Sequence, residues 1–185
     1  MQQKIRCYTA AQLEQIAQQL LRRYAPLGLQ QPGGLAVDAF AQNAAGAQIE
    51  ESTLSNDGHL LGLTAFADSD CILVDPDAIA RYAAQTDDGT LRVEQQAEFL
   101  RRWVIVHECA HRLLHGAWYR SAGQPACFDP NAASVERPTT IPQWMEWQAQ
   151  TLTRALLLPN HLLAALDGAS KKTLAWWFRV PTHCL

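Results

Sequence analysis

Apolar residues recur at helical spacing between Ala10 and Tyr24, at Leu13, Ile16, Ala17, Leu20 and Leu21. Thr9 is placed to cap that helix and Pro26 to stop it. Gln31-Pro32-Gly33-Gly34 reads as a loop, and a second helix is predicted over Leu35 to Ala45 with Gly46 at its C-terminal end. The apolar runs then shorten. Ala47 to Glu51, His59 to Phe66 and Cys71 to Val74 read as brief strands separated by Asn56-Asp57-Gly58 and Asp68-Ser69-Asp70, with Asp57-Gly58 suited to a hairpin turn. Thr90 to Val93 reads as one more short strand.

Between Gln95 and His115 the apolar positions (Phe99, Leu100, Trp103, Val104, Ile105, Val106, Cys109, Ala110, Leu113, Leu114) go nearly all the way round a helix. That is the signature of a helix buried within a domain, not lying on its surface. From Ala117 to Ile141 periodicity stops and Pro, Gly, Ser and Asn accumulate, which predicts a long loop: either part of a substrate cleft or a plain surface excursion. Helical spacing returns from Pro142 to Leu158, ended by Pro159, and two short helices are expected over Asn160 to Asp167 and Ser170 to Phe178. The predicted fold class is therefore α+β. A small mixed sheet packs against one central helix, with several further helices around it.

The buried helix carries the chemistry. His107-Glu108-Cys109-Ala110-His111 puts two imidazoles one turn apart on the same face, with Cβ atoms about 5–6 Å apart. Two neutral imidazoles at that spacing can share one zinc ion at roughly 2.0–2.1 Å each. Glu108 leaves the helix about 100° round, free of the metal and placed to act as a general base. With six His in the chain, such a pentapeptide arises by chance on the order of one time in a hundred, so it carries weight. Polar groups within so apolar a helix need a partner or a metal to offset their desolvation.

Composition narrows the rest. A chain of 185 residues, 48% hydrophobic and 18% charged, can bury a real core and is expected to form a single domain. Its parts are residues 1–34 as an N-terminal helix and loop, 35–159 as the core, and 160–185 as a short helical extension. A net charge of −3 gives no basis for direct nucleic-acid binding. The first residues lack the apolar run of a signal peptide, and no stretch approaches the roughly 20 apolar residues of a membrane span. A cytoplasmic location is expected. Five scattered cysteines without a C-x-x-C pair fit reduced thiols, and Cys109 is expected to be a small buried apolar residue.

A catalytic zinc site keeps three protein ligands. His115 shares the face of His107 and His111, but it stands about 12 Å along the axis from His107 and cannot reach the same ion. It is expected at the helix end or cleft wall, favoured there by the C-terminal dipole. Glu146, between Trp144 and Trp147 on a second helix, is the leading third ligand, ahead of Glu136, Asp129, Cys127 and His161.

The two blocks HECAHRLLH (His107 to His115) and EWQAQTLTRALLLP (Glu146 to Pro159) resemble the ImmA/IrrE family of zinc metallopeptidases over about Leu35 to Pro159. That family typically shows H-E-x-x-H-x-x-L-H and then E-x-x-A-N-x-x-A-x-x-L-L-M-P. The resemblance implies a zincin-like fold and one Zn2+ held by His107, His111 and Glu146, with Glu108 as catalytic base. It also implies limited proteolysis of a protein substrate, a helix-turn-helix repressor. The departures are Gln150 at the family's Asn or Asp, which often orients a zinc-bound histidine, Thr153 at a small residue, and Leu158 at its Met. The C-terminal LAWWFRVPTHCL is similar to an extension carried by many relatives and stops early in it.

For the hydrolysis itself an oxyanion donor is needed, with Tyr119, His115 and His161 as candidates. Two other readings remain at the level of sequence. One is a zinc-binding regulatory module with little turnover. The other is a different zinc hydrolase that uses Cys71 or Cys127 as ligand.

Overall fold

The computed structural model describes residues 5–66, 70–86, 88–123, 126–128 and 138–185. In chain order the helices are α1 (Ala10–Tyr24), α2 (Leu27–Gln30), α3 (Val37–Asn43), α4 (Pro76–Gln85), α5 (Val93–Ala122), α6 (Ile141–Leu157), α7 (Asn160–Ala164) and α8 (Lys171–Phe178). The strands are β1 (Gln48–Glu51), β2 (Gly62–Thr64), β3 (Cys71–Val74) and β4 (Ala126–Phe128). The architecture is α+β, with a small mixed sheet against the central helix α5, as the sequence pattern predicts.

The α1 boundaries follow their local signals. The Thr9 hydroxyl accepts from the Gln12 N–H at 3.3 Å, and the Gln12 side chain accepts from the Thr9 N–H at 2.9 Å. Thr140 and Gln143 make the same reciprocal pair at the start of α6. Asp75 caps α4, a helix for which Asp75-Pro76 is the sequence signal: Oδ1 accepts from Ala78 N–H and Oδ2 from Leu54 N–H, both at 2.9 Å.

Four expectations need correcting. The Thr90–Val93 segment is not a strand, because Val93 already begins α5 and Gln95 accepts from the Arg92 N–H as the helix opens. Within the stretch expected as loop, α5 continues to Ala122, ends on a left-handed Gly123, and is followed by β4. The predicted Leu35 to Ala45 helix is shorter, Val37–Asn43. Asp57-Gly58 makes a turn but no hairpin of paired neighbours, since β3 lies between β1 and β2.

The sheet order is β1-β3-β2-β4, with β1 parallel to β3 and the other pairs antiparallel. Helix α5 packs on β2, β3 and β4, on α3 and α4, and on α6. It is thus covered on several sides, which is why Arg102 through His111 are all buried. Trp103, Leu100, Ile105 and Val104 each stabilise the fold by about 1.5–3 kcal/mol through burial, offsetting the desolvation of the polar groups on the same helix.

Two features set the position of α5. At Gly62 a Cβ would lie 2.4 Å from Val104 Cγ1, so only glycine lets β2 approach the helix this closely. Arg112 donates to the carbonyls of Ala45 (3.1 Å) and Ala65 (3.2 Å) and to Asp70 (2.6 Å), tying the helix to the loops at one end of the sheet. Among the described residues, no helix is long and apolar enough to cross a membrane.

Candidate metal centre

His107 and His111 project from α5 toward α6, where Glu146 meets them. Their donor atoms lie within 4.8 Å of one another. His107 Nε2 is 3.0 Å from His111 Nε2, and the two carboxylate oxygens of Glu146 are 3.3 Å from His107 Nε2 and 3.2 Å from His111 Nε2. Two metal–ligand bonds of roughly 2.05 Å at a tetrahedral angle span about 3.3 Å, so donors this close together are of the size that one shared ion requires. The three groups can hold one metal ion. Both imidazoles are fully buried, whereas Glu146 is 22% exposed, so the centre opens to solvent on the α6 side.

The three groups are electrostatically coupled. Burial would raise the Glu146 carboxyl, but contact with both imidazoles holds it well below the usual carboxylate range. Burial lowers His107, with Glu146 opposing. For His111 burial acts in the same direction but is outweighed by Glu146, and the ring is raised. The pair is thus split by its environment, with the single carboxylate the only anion in the donor set.

Glu108 lies beside the triad, outside it. The Thr64 hydroxyl donates to Glu108 Oε2 at 2.6 Å, with both residues buried. Burial pushes the Glu108 carboxyl up to about 7, opposed by the His111 ring, Thr64 and the Phe128 backbone. Gly62, two residues before Thr64, provides the clearance: its absent Cβ would stand 3.4 Å from Glu108 Oε1. A carboxylate with a raised pKa, one oxygen anchored and the other without a side-chain partner among the described residues, is suited to taking up and returning a proton.

The wall of the site is aromatic. Phe128 on β4 packs against the His107 ring at 4.6 Å between centroids, and Tyr119 meets the His111 ring edge-on at 5.7 Å. His115 is not at a helix end, because α5 runs another two turns past it. It is a buried wall residue whose Nδ1 is 3.2 Å from His111 Nδ1, and burial lowers its pKa to about 3. The dipole argument for it therefore fails. His161 is also a correction: it is exposed on α7, with Nε2 on the Leu29 carbonyl at 2.8 Å. Tyr119 and His115 remain near His111.

Among the other ligand candidates, Asp129 and Glu136 lie outside the described residues, as does the Cys127 side chain. Cys71 is buried on β3 and does not belong to the donor group. Cys109 is fully buried, its thiol pushed above the ordinary range mainly by burial. Gln150, one turn beyond Glu146, faces His107. Thr64 and Gly62 fall within the predicted His59 to Phe66 strand, where no part in the site is expected of them. A lone glycine in a strand signals close approach, but nothing local marks Thr64.

A groove of about 540 Å³ lies far along α5, lined in part by Leu91, Arg92, Gln95, Lys172, Trp176 and Trp177. Among the described residues its lining includes no His, Cys, Asp or Glu, so it offers none of the usual ligands of a catalytic metal. Comparison with known proteins finds no matching protein-family model, no matching curated protein and no matching solved structure.

Proposed function

We propose that this chain is a zinc-dependent endopeptidase of the ImmA/IrrE type, with a zincin-like fold, in which His107, His111 and Glu146 hold one Zn2+ and Glu108 is the catalytic base. The observation that carries this reading is the convergence of three donor atoms within 4.8 Å, with a buried carboxylate of raised pKa alongside. A closed structural zinc site would bring four protein ligands, whereas the three found among the described residues leave a position for chemistry.

Zinc bound there supplies Lewis acidity, polarising the scissile carbonyl and making a nearby water acidic enough to react near neutral pH. Glu108 takes one proton from the attacking water as the new C–O bond forms. It returns the proton to the leaving nitrogen as the C–N bond breaks. Thr64 holds one carboxylate oxygen, leaving Oε1 for the proton. The rings of Phe128 and Tyr119 pack directly against the two imidazoles. The substrate in this reading is a helix-turn-helix repressor cut at a limited number of sites, in the cytoplasm.

The test is incubation of the zinc-loaded chain with purified helix-turn-helix repressors, including any encoded beside its gene. Discrete fragments that are absent with Glu108→Gln are expected. No cleavage by the wild type, or equal cleavage by the variant, overturns the peptidase reading.

A further inference from the structure

We propose that His115 is a positioning residue for the metal centre: its Nδ1 accepts a hydrogen bond from the Nδ1–H of His111 and holds that ring with Nε2 aimed at the metal. The proposal rests on the metal-site reading above and adds a residue outside the donor set.

His115 follows His111 by one turn of α5, so the two rings share a face. Their centroids are 5.3 Å apart, and the two Nδ1 atoms are 3.2 Å apart. Both residues are buried, with His115 only 2% exposed. Two imidazole nitrogens at that distance are held together only when one carries a proton and the other a lone pair.

The direction of the bond follows from the other side of His111. Its Nε2 is committed to the donor group, 3.0 Å from His107 Nε2 and 3.2 Å from Glu146 Oε1. A neutral imidazole that offers a lone pair at Nε2 carries its proton on Nδ1. His111 is therefore the donor and His115 the acceptor, and His115 keeps its own proton on Nε2. That Nε2 is buried without a protein partner among the described residues. A leucine would fill the space without that cost, so packing alone does not account for an imidazole here.

Metal-bound histidines commonly direct their second nitrogen at a carboxylate or a carbonyl. Here the acceptor is a neutral ring, which fixes the tautomer without adding a second negative charge to the centre. Tyr119, edge-on to His111 at 5.7 Å, also packs against that ring.

Zinc titration of the whole chain tests this, comparing wild type with His115→Leu and His115→Asn at constant far-UV circular dichroism. The wild type binds one zinc. Leucine removes the acceptor and weakens zinc binding about 10–100-fold, and asparagine, whose carbonyl can accept, recovers most of it. Independently of any variant, 15N-labelled, zinc-loaded wild type shows the His111 proton on Nδ1 and a coupling across to His115 Nδ1. His115→Leu affinity within about twofold of wild type, or a His111 proton found elsewhere than Nδ1, overturns the proposal and leaves the metal centre standing. A wild type that takes up no zinc overturns the metal reading, and the proposal with it. Where the variants fail to fold, the NMR result decides.

Discussion

The Thr64 hydroxyl, on β2, donates a hydrogen bond to Oε2 of Glu108, on α5, at 2.6 Å across 44 residues of chain. The contact joins the sheet to the helix at the point where the proposed base must sit. It works against the burial that raises Glu108, so Thr64 is a control on when that carboxyl is ionised.

Replacing Thr64 with the near-isosteric valine removes the donor that favours the carboxylate, so the Glu108 pKa rises further. A base must be ionised to act, and the acid limb of the kcat/KM profile then moves to higher pH. A hydrogen bond to a charged group contributes ~1.5–3 kcal/mol, which corresponds to about one to two pH units. An acid limb unmoved by Thr64→Val would remove Thr64 from this role.

Glu108→Gln is expected to keep stoichiometric zinc and to lose cleavage by about 10²–10⁴-fold. The same variant has a stability consequence in the metal-free protein. The folded state holds the Glu108 proton up to about pH 7, against 4.5 for an ordinary glutamate. Folded chains thus bind more protons than unfolded ones in that window, and stability falls as pH rises through it. Glutamine does not ionise, so the metal-free variant should exceed wild type by ~1–3 kcal/mol at pH 8 and lose that advantage near pH 4. Urea unfolding at the two pH values measures it; a difference independent of pH would contradict the buried, raised carboxyl.

Glu146→Ala is expected to abolish stoichiometric zinc at micromolar protein, because two imidazoles remain of a three-donor set. Elemental analysis after gel filtration reads this directly. In the metal-free state the variant should also lower the pKa of His111, which contact with Glu146 raises. Retention of one zinc by Glu146→Ala would mean that a different residue completes the site.

Gly62→Ala places a methyl group 2.4 Å from Val104 Cγ1. The clash should destabilise the fold by ~1–3 kcal/mol, the usual cost of overpacking a core. Val104→Ala in the same chain should recover part of the loss, giving a favourable coupling in a double-mutant cycle. Additive effects in that cycle would show that strand and helix do not meet as tightly as the structure has them.

How much of this was legible in the chain depended on the range of the interaction involved. The helix α1 and its Thr9 cap, the buried character of α5, and the one-turn spacing of His107 and His111 are local consequences of 3.6-residue periodicity, and they are written in consecutive residues. Glu146 could be singled out beforehand because it lies in a second apolar helical pattern. Its approach to within 3.2–3.3 Å of both imidazoles, however, is a product of α5 packing on α6. Where α5 ended was not legible, because the residues after His115 have weak helical signals and are held in the helix by contacts such as the stacking of Tyr119 on Phe66. That extension changed His115 from a helix-end residue into a buried neighbour of His111. Sheet order was also beyond the pattern, since β3 enters between β1 and β2. Local spacing along the chain specifies which side chains one helix presents together. That Gly62 and Thr64 meet Glu108 is a product of long-range packing, because a strand's position against a helix depends on complementary shape and paired polar groups that no local spacing encodes.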